Sequence, residues 1–134
     1  MKKLLLILGF CVVSGLQSKE IAMKKVVLVI SGTGFQQREY GNTKKELEAA
    51  GIKVVTTSDD PKEAIGSRRA RQKIDIKLDQ INPAEFAGIF VIGGPGALDH
   101  LDIPEVYKVL RKFFALNKPY GAICISPRIL AQAE

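Results

Sequence analysis

The chain has 134 residues, 46% of them hydrophobic and 25% charged, with a formal net charge of +6. That composition suits one soluble domain with a real core. Two cysteines, Cys11 and Cys124, and a single histidine, His100, are too few for a disulfide framework or a zinc site.

The first 22 residues read as a leader. A basic start at Lys2 and Lys3 precedes an apolar stretch from Leu4 to Val13, and small and polar residues follow. That is the order of a secretory signal peptide, and the apolar stretch is short for a bilayer span. Cleavage is expected near Val13–Gly15 or at Ala22. The competing reading starts translation at Met23, where "MKKVVLVISG" has the look of a complete start. The protein is exported or periplasmic on the first reading and cytoplasmic on the second, with no stable membrane insertion once a leader is gone. Either way residues 1–22 lie outside the domain, which is taken as 23–134. Cys124 is then its only thiol, and the net charge falls to +4, because Lys2, Lys3, Lys19 and Glu20 are lost.

From Met23 strands and helices alternate. Val26–Ser31, "VVLVIS", is a continuous β-branched run and predicts a buried parallel strand. "GTGF" follows as a loop. Tyr40, Thr43, Leu47 and Ala50 recur at helical spacing, and Gly51 ends that helix as its C′ residue. Ile52–Thr57 predicts a second strand. Ser58 to Gln72 reads as a long polar connection. Its basic patch, Ser67–Lys73, "SRRARQK", has no interleaved aromatics, which favours a solvated loop over a nucleic-acid surface. Lys73–Leu78, "KIDIKL", alternates with period two, as a half-buried or edge strand does.

Gly88–Gly94, "GIFVIGG", is another buried strand that runs into glycines. Asp102 and Glu105 form a capping-box pattern. Val106, Val109, Leu110, Phe113 and Phe114 then share one helical face. Tyr120–Ile123 predicts the next strand, and "SPRILAQAE" starts a helix only about eight residues long before Glu134. That abrupt stop reads as a truncated copy of a longer domain. The alternation predicts an α/β fold, a doubly wound parallel sheet with helices on both faces. Ligands in such sheets sit at the carboxyl ends of the strands. Three loops meet there: "SGTGFQQRE", "GGPGALDH" and "CISP".

Cys124 sits where a nucleophile elbow belongs, between a strand and a helix. Ala122 and Ser126, two residues to either side, are small, as the crowded backbone of such a turn requires. The following helix aims its first amides at the sulfur and favours the thiolate, and Pro127 suits its first turn. The alternative is a small buried hydrophobe, the commoner fate of a free cysteine. Dinucleotide and P-loop readings fail, since "SGTGFQQ" lacks the third glycine and no glycine run is followed by Lys-Ser or Lys-Thr.

"AICISPRIL" resembles the nucleophile signature of the ThiJ/PfpI superfamily. "FVIGGPGA" (Phe90–Ala97) is similar to the family's strand ending in paired glycines, and "INPAEFAG" to its approach. "GFQQREY" (Gly34–Tyr40) is similar to its first loop, with Glu39 at the acidic position. The resemblance covers residues 24–134. It implies a flavodoxin-like sheet, a homodimer, no cofactor and no metal, and no nucleic-acid partner. It also implies that Glu39 meets the Cys124 thiol, with Glu39 protonated and donating to the sulfur so that the two groups share one proton. In this picture backbone N–H groups at Gly93, Gly94 and Ile125 hold an oxyanion.

The chain departs from the family in places. The proteolytic branch has histidine directly after the cysteine, where Ile125 stands, which argues against a cysteine peptidase. Glutamine amidotransferases need a glycine-flanked cysteine and a later His-Glu pair, both missing. Ser126 replaces the usual glycine. His100 is the one remaining candidate base, and it reads better as a surface residue just before a helix. The resemblance thus implies chemistry on a small reactive carbonyl, of the glyoxalase or deglycase kind. The alternative is a redox-sensing or protective thiol without turnover.

Overall fold

The computed structural model describes residues 23–134. The leader reading and Cys11 lie outside the described residues.

The central sheet is built outward from β1 (Lys25–Ile30). It pairs in parallel with β3 (Lys53–Ser58) on one side and β6 (Gly88–Val91) on the other, and β6 pairs in parallel with β7 (Tyr120–Ala122). The spatial order is β3-β1-β6-β7. Counting only these four strands, that is 2-1-3-4, the flavodoxin-like winding. A strand buried on both faces needs apolar residues at every position, and β1 shows why. Val27 and Val29 join one core cluster, while Leu28 and Ile30 join the other.

The first face is covered by α3 (Pro104–Ala115) and α4 (Pro127–Ala133), through Val106, Val109, Leu110, Phe113, Ile129 and Ala133. The second is covered by α1 (Gln37–Ala49) and by a small three-stranded sheet, through Tyr40, Ala64 and Ile74. Both long helices end in a Schellman motif. Gly51 lies at φ 76°, with Ile52 N–H bonding Leu47 O and Gly51 N–H bonding Glu48 O. Asn117 at φ 50° does the same for α3 through Lys118 N–H to Phe113 O and Asn117 N–H to Phe114 O.

The segment between β3 and β6 departs from the sequence expectation. It is not one long polar connection. β4 (Glu63–Gly66) and β5 (Arg71–Lys73) form an antiparallel hairpin. Beside β4 lies β2 (Thr33–Phe35), in the stretch expected to be a loop. The basic patch is the hairpin's tip and second strand, and Arg71 pairs with Glu63 at 3.1 Å. The expected strand over Lys73–Leu78 stops at Lys73, because Asp75 takes over the ladder's role with its side chain. The carboxylate of Asp75 accepts the Thr56 N–H at 2.8 Å, while Thr56 O accepts the Asp75 N–H.

The expected capping box is also absent. Ile103 is the N-cap residue of α3 and Pro104 its first residue, so no side chain caps it. Asp102 instead accepts the phenol hydrogen of Tyr107. That bond, followed by burial, raises the Tyr107 pKa above its ordinary value. The contact is therefore complete below pH 10 and is lost only as pH rises through the raised value.

The hairpin is fastened to the start of α1. Gln37 Oε1 accepts the N–H groups of Arg68 (2.7 Å) and Ala70 (3.1 Å), and the Ser67 N–H bonds Phe35 O. Gln37→Met keeps the bulk and removes the acceptor. It is expected to cost about 1 kcal/mol in urea unfolding, since water can replace bonds at an exposed tip. Amide exchange at Arg68 and Ala70 should accelerate, and unchanged exchange would show that the clamp does not hold the tip.

Candidate active site

Cys124 follows the carboxyl end of β7, which lies beside that of β6. The ladder of β7 continues one residue past its end, with the Ile123 N–H bonding Val91 O at 3.1 Å. The chain then reverses. Cys124 adopts φ 62°, a left-handed conformation that a residue with a Cβ avoids by about 1–2 kcal/mol. The Ser126 N–H closes the turn on Ile123 O, and Pro127 opens α4. Ser126 is buried and its hydroxyl donates to Ile92 O at 2.9 Å. The hydroxyl that replaces the expected glycine thus ties the elbow to the end of β6. The thiol is exposed, which sets aside the buried-hydrophobe alternative.

Glu39 lies in the first turn of α1, and its Oε2 accepts the Gly93 N–H at 3.0 Å across 54 positions of sequence. Gly93 shows how closely the parts meet. A Cβ there would stand 2.6 Å from Cys124 Cβ and 2.9 Å from Glu39 Oε2. Cys124 and Glu39 therefore flank the same point, and only glycine leaves room for both; among the described residues the expected bond from Glu39 to the sulfur is not formed, because the carboxyl is turned to the Gly93 N–H. The Gly93 N–H is given to Glu39. The N–H groups of Gly94, Cys124 and Ile125 have no hydrogen-bond partner among the described residues.

Gly34, Gly94 and Gly96 let two loops cross in contact. Gly94 has φ 127°, and a Cβ on it would lie 2.4 Å from Gly34 O. A Cβ on Gly96 would lie 1.8 Å from Thr33 O. Backbone bonds seal the crossing, Gln36 N–H to Gly93 O and Gly96 N–H to Gly34 O.

A cavity of about 400 Å³ opens over the thiol, lined by Gln36, Gly94, Pro95, Leu98, Asp99, Cys124 and Ile125. His100 is not in it. It sits in the last turn of α2 (Ala97–Leu101), not before a helix, and its Nδ1 meets Asp59 Oδ2 at 2.7 Å. Asp59 also accepts the Gly32 N–H at 2.6 Å. His100 thus stitches α2 to the segments that follow β1 and β3. Gln36, Leu98 and Asp99 escaped sequence reasoning. Their only signal was position, in the two loops predicted to meet the cysteine. Among the described residues, no group of three or more His, Cys, Asp or Glu is placed to hold a metal ion, and no helix is long and apolar enough to cross a membrane.

Comparison with known proteins agrees with this architecture. The DJ-1/PfpI family model matches residues 24–134. An uncharacterized protein of Methanocaldococcus jannaschii is 26% identical over 132 residues, which span 97% of this chain and 64% of that protein. An uncharacterized protein of Staphylococcus aureus is 30% identical over 116 residues, 84% of this chain and 67% of that one. The crystal structure of a ThiJ/PfpI domain protein from Brachyspira murdochii superposes with a TM-score of 0.77 at 27% identity, over 81% of this chain and 63% of that one. Drosophila melanogaster DJ-1beta, at 24% identity and a TM-score of 0.74 over 82% of this chain and 60% of that one, shares the fold. The chain thus spans about two thirds of the length of these proteins. The flavodoxin-like sheet, the strand-end cysteine and the family match over 24–134 together establish that the chain belongs to the DJ-1/PfpI family.

Proposed function

We propose that the chain acts on small reactive carbonyls through Cys124. The observation that carries this reading is an exposed thiol at a left-handed elbow, with the Glu39 carboxyl beside it at Gly93 and a small cavity above. The Cys124 thiolate adds to the aldehyde carbon of a 2-oxoaldehyde. The new C–S bond forms as the C=O π pair moves onto oxygen. Free N–H groups of Gly94 and Ile125 are the donors available to that oxyanion. In this step Glu39 is the group placed to deliver a proton to the oxygen, and a hemithioacetal results. As a carboxylate, Glu39 then serves as the base for later proton transfer.

The test is consumption of methylglyoxal by the purified full chain, before and after Cys124 is blocked with iodoacetamide, with peptide mass mapping to confirm the blocked residue. Consumption lost on blocking supports the reading. No consumption above the blocked sample sinks it.

The exposure of the thiol favours one second reading, a redox-responsive protein without turnover. Mild peroxide should then convert Cys124 to sulfenic and sulfinic acid. A Cys124 peptide of unchanged mass after peroxide rejects it. A peptidase gains no support, because Ile125 follows the cysteine and His100 is engaged with Asp59.

A further inference from the structure

We infer that Asp99 is a specificity-determining residue, which makes the Cys124 cavity discriminate against anions and take neutral or cationic electrophiles. The inference deepens the carbonyl reading by naming the substrate class, and it rests on that reading only for the word substrate.

Among the described residues, the lining of the cavity carries one charged side chain, and it is Asp99. The rest are an amide (Gln36), a glycine, a proline, two aliphatic side chains and the thiol itself. The neighbouring charged groups do not balance it. Arg128, four residues past Cys124, turns its Nε to Asp102 Oδ2 at 3.5 Å. His100, next to Asp99 in sequence, faces Asp59. Glu39, whose carboxyl accepts the Gly93 N–H, is not among the lining residues and brings no positive charge. Among the described residues no lysine or arginine lines the cavity.

The whole chain is cationic at +6, so two fields compete. The net charge is spread over the molecule, and charges beyond about 8 Å are largely screened at physiological ionic strength. Asp99 is solvent-exposed and lines the cavity itself. At separations shorter than the screening length of roughly 8 Å, a unit charge at an effective dielectric between that of a protein surface and bulk water changes an ionic reagent's rate by about three- to tenfold. The local sign therefore sets selectivity at the sulfur, while the global sign governs only distant approach.

The experiment uses thiol reagents of nearly equal size and different charge, so it needs no turnover. Iodoacetamide is neutral and iodoacetate is an anion. Their rates at Cys124 are measured on the full chain by peptide mass mapping, folded and in urea. The folded protein is expected to prefer iodoacetamide by about three- to tenfold more than the unfolded chain does. Asp99→Asn should remove most of that excess, and circular dichroism will confirm that it folds. A second arm needs no variant. Raising salt from about 10 mM to about 0.5 M should shrink the excess in the unsubstituted protein.

An excess that vanishes in Asp99→Asn and shrinks with salt establishes the inference. A folded ratio equal to the urea ratio overturns it, and so does an excess that survives both the substitution and the salt. Failure of the carbonyl reading is separate, because it shows as no methylglyoxal consumption whatever the alkylation ratio.

Discussion

Gly96→Ala is expected to destabilise the domain by roughly 3 kcal/mol or more, a large fraction of a typical domain's stability. The added Cβ would lie 1.8 Å from Thr33 O and 2.9 Å from Thr33 C, both backbone atoms that no rotamer change can move. One of the crossed loops must shift. Each carries half of the site, since Gln36 bonds Gly93 and Glu39 bonds it again. Thiol reactivity should therefore change along with stability. Gly41→Ala is the internal control. Gly41 lies inside α1, and an added Cβ would meet nothing within 4 Å, so the same chemical change there should stabilise by about 0.5–1 kcal/mol. Urea unfolding of both variants checks the contrast. A Gly96→Ala protein as stable as the parent would mean that the loops do not cross in contact.

Glu39 carries the second large effect, on reactivity. Glu39→Gln keeps an oxygen to accept the Gly93 N–H but cannot exchange a proton. Methylglyoxal consumption is expected to fall by about 10²-fold or more, with stability nearly unchanged. Glu39→Ala also strands the part-buried Gly93 N–H, so it should lose the same activity and about 1–3 kcal/mol of stability besides. The two variants separate chemistry from support. Full activity in Glu39→Gln would remove Glu39 from any proton-transfer role.

Elements that announce themselves by composition were legible in the sequence. The β-branched run at Val26–Ser31 reads as a buried parallel strand, and β1 covers Lys25–Ile30. The apolar face of α3 and the Gly51 stop follow from local rules. The elbow was legible because crowding at a strand-to-helix turn limits the residues at Ala122 and Ser126. The hairpin was not, because β2 and β5 have three residues each and owe their extended form to their partners. Asp75 hid the end of β5 by supplying with a side chain what a backbone carbonyl would have given. Asp102 suggested a cap, yet Pro104 starts the helix one residue later and Tyr107 claims the carboxylate. At the site, the family pattern singled out Cys124 and Glu39. Their meeting through Gly93 and the presence of Asp99 depend on contacts between distant segments, which no local rule encodes.

The left-handed cysteine has a consequence for how such a sequence can change over time. At φ 62° a glycine would be more comfortable than the cysteine, so a drift from Cys124 to glycine runs downhill in local backbone energy. The surrounding bonds, Ile123 to Val91 and Ser126 to Ile92, hold the residue in a posture its own preferences oppose. That is local frustration confined to one position in an otherwise consistent sheet end. Folding alone gives no reason to keep a thiol there. The residue persists against the gradient of stability only as long as its chemistry is used, and a chain that ceased to need the sulfur would be free to relax.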